Sequence, residues 1–317
     1  MKSLGTPTKV KELQKALHAK AKGYPAFRFF SLYDKLWRRD ILEEAWRRCR
    51  KNGGAAGVDK ESFDVKVRNG LKDWLDRLTN EVKSRTYRPR AVNRVWIPKP
   101  NGQMRPLGLP CIRDRVLQMA AVLVLEPIFE ADLTEEQYGY RPGRSAHDAI
   151  RQIHRSLNNG QRHVVDADLS GFFDTIPHAE LMKCLARLIS DGPMLGLLKM
   201  WLEMPVEEED ENGRVKRTTQ SRDTGRGTPK GAPISPLLSN LYMRRFILGW
   251  KKRGFDRLFQ SRVVAYADDC VILCRQNRKA MAQKMRLMAP LPLEVDELMM
   301  DSANQDQSGR RTGNPAA

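Results

Sequence analysis

The fold is decided by the stretch Arg262-Val-Val-Ala-Tyr-Ala-Asp-Asp-Cys-Val-Ile-Leu-Cys274. Two apolar arms with the composition of β-strands enclose the acidic pair Asp268-Asp269, so the pattern predicts a hairpin with both acids at its turn. About a hundred residues earlier, the strand-like run 163–169 also ends close to an acid, Asp168. The sequence therefore predicts three carboxylates at the ends of apolar strands.

Carboxylates beside apolar strands are costly to bury unless a cation neutralises them. Arginine or lysine could supply the positive charge. A divalent metal ion could also do so, and oxygen ligands without His or Cys favour Mg²⁺. Two such ions about 3.5–4 Å apart suit phosphoryl transfer, because one activates an attacking hydroxyl and the other stabilises the leaving oxygen. An Asp-Asp pair also occurs on ordinary protein surfaces, so the spacing alone leaves both interpretations open.

The composition points to a polyanionic partner. The 317 residues include 56 Lys plus Arg against 38 Asp plus Glu, for a formal net charge of +18, and 41% of them are apolar. This apolar content supports a sizeable core and excludes wholesale disorder, collagen and a disulfide scaffold. Nucleic acid is the leading candidate for neutralising so large a positive surplus.

Targeting and redox signals are weak. The basic N-terminus has no apolar segment typical of a secretory signal, and the longest apolar run, 119–125, is too short to span a bilayer. The five cysteines form no CxxC pair, and Cys270 and Cys274 fall inside an apolar run, which predicts buried thiols. These features predict a cytoplasmic chain with no membrane partner.

The sequence before the hairpin contains both helical and strand patterns. Apolar spacing predicts helices over 32–49, 71–82, 114–130, 145–157, 177–188 and 237–250. Two further hairpins are predicted, over 95–109 with a turn at Asn101-Gly102 and over 206–219 with a turn at Asn212-Gly213.

Seven blocks of sequence, in order from about Phe29 to Cys274, match one family. They are Gly57-Val-Asp59; Ile97-Pro-Lys-Pro100 with Arg105-Pro-Leu-Gly108; Leu125-Glu-Pro-Ile-Phe129; Tyr138-Gly-Tyr-Arg-Pro-Gly-Arg-Ser145; Asp166-Ala-Asp-Leu-Ser-Gly-Phe-Phe-Asp174; Gly227-Thr-Pro229 with Ile234-Ser-Pro-Leu-Leu238; and Tyr266-Ala-Asp-Asp269. Each block is weak alone, but seven in the right order are specific. The chain resembles the reverse transcriptase/maturase proteins encoded by bacterial group II introns.

The resemblance implies an α/β (α+β) fold of the right-hand polymerase type, with fingers and a palm. Asp168, Asp268 and Asp269 would hold two Mg²⁺ ions while a primer 3′-hydroxyl attacks the α-phosphate of a dNTP, with Asp269 coordinating less directly. Lys99 and Arg105 match the fingers residues that grip the triphosphate. They lie six residues apart across a Pro-Asn-Gly turn, so both can point at one polyanion.

Two further residues match positions near the incoming nucleotide. Phe173 matches the aromatic residue that blocks a ribose 2′-hydroxyl and so selects deoxynucleotides; otherwise it is a core residue beside Phe172. Lys230 stands where the family usually has Gln, and it could bind phosphate as a mobile point charge rather than through an amide. Lys230→Gln is therefore expected to raise primer-extension activity.

Four arginines are candidate contacts for nucleic acid. Arg141 and Arg144 bracket a Pro-Gly turn before a helix, which suits binding of the template backbone, and Arg113 and Arg115 are further candidates. The alternative is that they are ordinary surface arginines.

The resemblance also predicts the domains. These are a basic N-terminal extension over 1–50, fingers over 51–160, a partial palm over 161–288, and an unrelated, acidic, disordered tail over 289–317. The tail has five acids against two arginines, a net charge of −3, and is unlike the helical thumb and maturase region that follows in the family. A frameshifted or truncated reading frame would produce such an end; a divergent short protein is the alternative.

The first hypothesis is an RNA-directed DNA polymerase (a nucleotidyltransferase) of a mobile group II intron. Its partners would be intron RNA as template, a DNA primer and dNTPs, with an associated maturase role in splicing. A second hypothesis is a catalytically weak or inactive RNA-binding remnant. A retron or CRISPR-associated reverse transcriptase is a third, although the Tyr-Arg-Pro-Gly-Arg-Ser block fits intron proteins better. The sequence predicts neither the intron nor the oligomeric state.

Overall fold

A computed structural model describes residues 6–98, 100, 102–168, 171–210, 212–275, 278–288 and 294–299. The helices are α1 Thr8–Gly23, α2 Arg39–Asn52, α3 Phe63–Arg68, α4 Leu71–Lys83, α5 Ile112–Glu130, α6 Ala146–Asn158, α7 Phe172–Thr175, α8 His178–Leu188, α9 Gly192–Leu202, α10 Gln220–Thr224, α11 Ser235–Lys252, α12 Phe255–Leu258 and α13 Arg278–Met288. The strands are β1 Val92–Pro98, β2 Met104–Leu109, β3 His163–Asp168, β4 Val206–Glu209, β5 Val215–Thr218, β6 Arg262–Tyr266, β7 Asp269–Cys274 and β8 Glu294–Met299. The mixed α/β fold class is confirmed.

The chain divides into two compact units, one of Met1–Glu135 with Gly171–Arg245, the other of Glu136–Ser170 with Phe246–Ala317. These units do not follow the linear ranges 51–160 and 161–288, because the segment 171–245 packs with the N-terminal residues. The domain ranges inferred from the resemblance therefore remain a prediction about functional parts of the chain.

In the first unit the central element is α5, against which both α1 and α2 pack. Most of its side chains are buried, and they include the polar residues Asp114, Arg115 and Gln118 beside the apolar ones. The helix predicted over 32–49 begins later, at Arg39, after a short 3₁₀ turn at Tyr33–Lys35. The residues before it bind a distant carboxylate: Asp191 accepts hydrogen bonds from the backbone N–H groups of Leu32 and Tyr33 at 2.6 and 2.8 Å.

The first unit also contains sheet A, with strand order β2-β1-β4-β5. β1 and β2 form the predicted antiparallel hairpin, and Asn101 of its turn lies outside the described residues. β4 pairs with β1 in parallel and with β5 in antiparallel orientation, so both polar hairpins join one sheet. β2 is an edge strand, which suits its proline, since proline cannot donate to a neighbouring strand.

The second unit contains sheet B, with strand order β6-β7-β3-β8 and antiparallel neighbours throughout. Its core is formed by five buried residues: Tyr138, Ala149, Val164, Val264 and Leu273. α6 covers this core and begins at the predicted cap, where the Ser145 side chain and the Asp148 side chain each accept a hydrogen bond from the other's backbone N–H.

The prediction of a disordered tail is wrong for Glu294–Met299. These residues form β8, whose backbone pairs with β3 from His163↔Met299 to Asp168↔Glu294. The acidic composition suggested an unstructured segment, but strand pairing uses main-chain hydrogen bonds that are available whatever the side chains are. Within the part of the chain that the structure describes, no helix is both long and apolar enough to cross a bilayer.

Candidate active site

The acidic pair lies at the tip of the β6–β7 hairpin, as predicted. Ala267 and Asp268 form the turn, and Asp269 is the first residue of β7. Asp168, the last residue of β3, is the backbone partner of Asp269. The three aspartates thus lie at one end of three neighbouring strands, because the register of β3 against β7 brings Asp168 level with the turn.

The strands that carry the turn are well buried, which fixes its position. Val264 and Leu273 are 3% and 0% exposed, while Asp268 is half-buried and Asp269 is exposed. The predicted burial of Cys270 and Cys274 is confirmed, and burial raises the pKa of the Cys270 thiol to about 12. The Cys270 thiol therefore stays protonated and serves packing rather than chemistry.

The donor chemistry at the turn suits a hard divalent cation, since carboxylate oxygens are the ligands that Mg²⁺ prefers. Among the side chains that the structure describes, no group of three His, Cys, Asp or Glu is arranged to hold a metal ion. The Asp168 side chain lies outside that set. The three-aspartate metal site therefore stays a prediction, supported by the backbone register of Asp168 and Asp269.

The loop before α6 holds the acidic turn in place. Ala265 of β6 donates its N–H to the Glu136 carbonyl at 2.8 Å, and its own carbonyl accepts from the Tyr138 N–H at 2.8 Å. A Cβ atom on Gly139 would lie 2.4 Å from the backbone nitrogen of Ala267. Because Ala267 has a φ of +60°, rarely adopted by residues other than glycine, the turn depends on this close packing.

Tyr140 lies beside the acidic turn. Partial burial, followed by the negative charge of Asp268, raises the pKa of its phenol. The hydroxyl therefore stays neutral near the carboxylates and can donate a hydrogen bond. Sequence analysis missed the roles of Gly139 and Tyr140; the available signal was a glycine enclosed by two aromatic residues.

Arg141 and Arg144 do not extend freely toward solvent as template contacts. Arg141 is 9% exposed and donates to the Gln137 carbonyl at 2.9 Å. Arg144 donates to the same carbonyl at 3.2 Å and lies over the Tyr138 ring at 5.1 Å. Both guanidinium groups stabilise the loop that packs on β6, because its backbone carbonyls need donors.

The predicted nucleic-acid contact at Arg115 is contradicted by its burial. Arg115 is 6% exposed and donates to the carbonyls of Pro110, at 2.7 Å, and Ala55. Burial lowers the pKa of its guanidinium. Arg113 is mostly buried too, paired with Glu81 and stacked over the Tyr87 ring. Both arginines therefore hold the first unit together.

Phe173 is half-buried at the start of α7, 5.8 Å between ring centroids from Phe172. The loop that contains Lys230 contacts this helix, because the Thr228 N–H donates a hydrogen bond to the Phe173 carbonyl at 2.6 Å. The Lys230 ammonium forms an ion pair with Asp174 at 2.6 Å. Sequence analysis missed this partner, although an acid directly after Phe173 was a signal for it.

Arg105, one of the two residues predicted to bind the triphosphate, is exposed. It lies in β2, and no hydrogen bond or ion pair engages its guanidinium among the residues that the structure describes. Lys99 lies outside the described residues. The Arg105 guanidinium is therefore available to bind an anion, and triphosphate binding by Arg105 and Lys99 stays a prediction.

Comparison with known families decides the classification. A sequence model of the family described as "Reverse transcriptase (RNA-dependent DNA polymerase)" matches residues 97–290. This chain belongs to the reverse transcriptase family. Reverse transcriptases generally use divalent metal ions, in keeping with the acidic turn.

Curated relatives place the reverse transcriptase among intron-encoded proteins. It is 36% identical over 246 residues to Protein YkfC of Escherichia coli (strain K12), covering 75% of this chain and 61% of that protein. It is 33% identical over 239 residues to the group II intron-encoded protein LtrA of Lactococcus lactis subsp. cremoris, covering 74% and 38%. The resemblance to group II intron proteins is confirmed, and the chain spans less than two thirds of these relatives' lengths.

Among solved structures, a chain of a partial Cas6-RT-Cas1–Cas2 complex aligns with a TM-score of 0.49 and 23% identity. The alignment covers 78% of this reverse transcriptase and 39% of that chain.

Proposed function

We propose that this chain is an RNA-directed DNA polymerase of a mobile group II intron, with an associated role in binding and splicing the intron RNA. The observation that carries the proposal is the sheet register that brings Asp168 level with the Asp268-Asp269 turn. Intron RNA would be the template, and dNTPs would be added to a DNA primer.

In the proposed reaction, the chain's own residues bind and orient the reactants. Asp168, Asp268 and Asp269 would hold two Mg²⁺ ions, which supply charge neutralisation for phosphoryl transfer when bound. Exposed Arg105, together with Lys99, would bind the triphosphate by charge-assisted hydrogen bonds. Phe173 would exclude a ribose 2′-hydroxyl by contact with its ring, which α7 and the Thr228 loop hold in place.

Lys230 would lie close to the incoming nucleotide in this proposal. Its ammonium is held by Asp174 rather than left free, so its charge is partly neutralised before any phosphate arrives. We therefore expect a weaker contribution to dNTP binding from Lys230 than from Arg105.

The test is primer extension on poly(rA)/oligo(dT) with Mg²⁺, comparing wild type with Asp268→Ala. Loss of a metal ligand is expected to reduce extension at least about a hundredfold, since each such ion is worth several kcal/mol in the transition state. The matched control is Asp223→Ala, an exposed acid on α10 that pairs with Arg222 and accepts a hydrogen bond from the Thr219 hydroxyl.

Extension by wild type and by the control, but not by Asp268→Ala, would support the polymerase. Tight, salt-sensitive RNA binding with no extension by wild type would instead support the RNA-binding remnant and contradict the proposal.

A further inference from the structure

Sheet A has two faces, and only one of them carries Arg105. Cα partners on neighbouring strands share a face, and successive residues alternate between faces. Ile97 pairs with Arg105, whereas Trp96 pairs with Pro106 and Arg94 with Gly108. The face that carries Arg94 and Trp96, called here the back face, is therefore opposite Arg105.

A cavity of about 290 Å³ opens on the back face. The residues of β1 and β2 that line it, namely Val92, Arg94, Pro106 and Gly108, all belong to that face. The other wall is formed by α10 and the loop 226–230. The cavity thus opens on the face opposite Arg105, and Lys230 is the residue that it shares with the proposed nucleotide site.

The cavity carries uncompensated positive charge. Of its three cations, Lys230 is paired with Asp174. The guanidinium groups of Arg94 and Arg226 have neither an ion pair nor a side-chain hydrogen bond within the described part of the chain. Ser221 and Gln220 add a hydroxyl and an amide to the lining. Two free guanidinium groups with neutral donors beside them are suited to a phosphate.

Trp96 extends this surface along the same strand. It is 46% exposed, and its indole N–H donates to Glu208 Oε1 at 2.7 Å, so what it offers a ligand is the face of its ring. It lies two positions along the strand from Arg94, a rise of about 6.6–6.8 Å, comparable with the separation of a base from its own phosphate. A free inorganic phosphate has no ring that could stack on the indole, whereas a nucleotide has one.

We infer that the back face of sheet A binds single-stranded nucleic acid, with a backbone phosphate between Arg94 and Arg226 and a base stacked on Trp96. A positive groove beside an exposed aromatic ring is how proteins bind single strands without reading sequence. Bases in a duplex are stacked on one another, so their faces are closed to Trp96. This site lies on the face opposite Arg105 and shares Lys230 with the proposed nucleotide site.

The inference is tested by fluorescence anisotropy with a dye-labelled 12-nucleotide single-stranded RNA in EDTA, where primer extension does not contribute. Arg94→Gln/Arg226→Gln is expected to weaken binding about tenfold or more, since two charge-assisted contacts are lost. The slope of log K against log salt should fall by about 0.7, the value for one phosphate contact on a single strand. Trp96→Ala should weaken binding about fivefold to a hundredfold, and Trp96→Phe should restore most of it.

The matched control is Arg217→Gln/Arg222→Gln, which removes the same charge from arginines paired with Glu207 and Asp223 outside the cavity. Its affinity should stay within about twofold of wild type. Ultraviolet crosslinking with 5-bromouridine RNA, followed by peptide mapping, should place crosslinks within 92–98.

Equal losses in the control and test pairs would overturn the inference, because net charge would then explain the binding. Crosslinks confined to other segments would also overturn it. If Trp96→Ala binds as wild type and inorganic phosphate displaces the RNA, the cavity is an anion site and the inference fails.

Discussion

Sheets A and B each have four strands, but they present functional groups in different ways. In sheet B the strands are buried on the core side, and the acidic turn is set by backbone register and by close packing against Gly139. In sheet A most positions are half-buried or exposed, and Arg105 and Trp96 lie at the surface. Sheet B is suited to fixed geometry, whereas sheet A offers exposed cations that can adapt to a polyanion.

Gly139→Ala, which changes the packing at the acidic turn of sheet B, is expected to have the largest effect on activity. The new Cβ would lie 2.4 Å from the Ala267 nitrogen, so the acidic turn must shift. Misplacement of about an ångström can cost about a hundredfold in rate, and we expect a loss of that order in primer extension. The control is Gly196→Ala, in α9, where a Cβ meets nothing within 4 Å. Equal activity in the two variants would contradict a positioning role for Gly139.

A matched pair of valines compares the burial of the two sheets. Val264 of sheet B is 3% exposed and Val215 of sheet A is 59% exposed. Val264→Ala should lower the free energy of unfolding by about 2 kcal/mol, from two buried methyl groups and the space they leave. Val215→Ala should change it by less than about 0.5 kcal/mol. Chemical denaturation measures both, and similar values would remove the distinction between the sheets.

Arg105→Gln tests the exposed cations of sheet A. Because Arg105 is exposed and unpaired among the described residues, its loss should leave the unfolding free energy unchanged. If it binds the triphosphate, KM for dNTP should rise about tenfold, the value of one charge-assisted contact. Steady-state primer extension at varied dNTP measures this rise. Arg217→Gln, on the same sheet but paired with Glu207, should leave KM unchanged.

Lys230→Gln should have the smallest effect on stability. The Lys230–Asp174 pair is partly exposed, and such pairs contribute less than about 1 kcal/mol. The amide can still donate to Asp174, while the mobile charge is removed. We expect an unfolding free energy within 1 kcal/mol of wild type and a higher primer-extension rate; an unchanged or lower rate would refute the expectation from sequence.

Local sequence patterns predicted most elements correctly. The hairpins over 95–109, 206–219 and 262–274 and the capped helix after Ser145 formed as predicted, because turn residues, alternation and caps act within a few residues. The helix predicted over 32–49 begins only at Arg39, and the residues before it bind a carboxylate from far along the chain, since Asp191 accepts from the Leu32 and Tyr33 N–H groups.

The arginines show most clearly where sequence reasoning fails. Arg115 and Arg141 are of the residue type that binds nucleic acid at protein surfaces. In this structure both are buried, and their guanidinium groups donate to backbone carbonyls. A guanidinium group satisfies carbonyls and phosphates equally well, so its residue type does not reveal which it binds. Only packing distinguishes them, and within the described residues it leaves the guanidinium groups of Arg94 and Arg226 without an ion pair or side-chain hydrogen bond.

By itself the sequence determined the family, the acidic turn and the strands that carry it, because these depend on short motifs and on local hydrophobic pattern. The tertiary structure decided what those motifs contact. It set Asp168 against Asp269, packed Gly139 on the turn, paired Lys230 with Asp174, and placed Arg94 and Trp96 on the face opposite Arg105. Each of these relations joins residues through strand register or loop packing, and no local pattern encodes them.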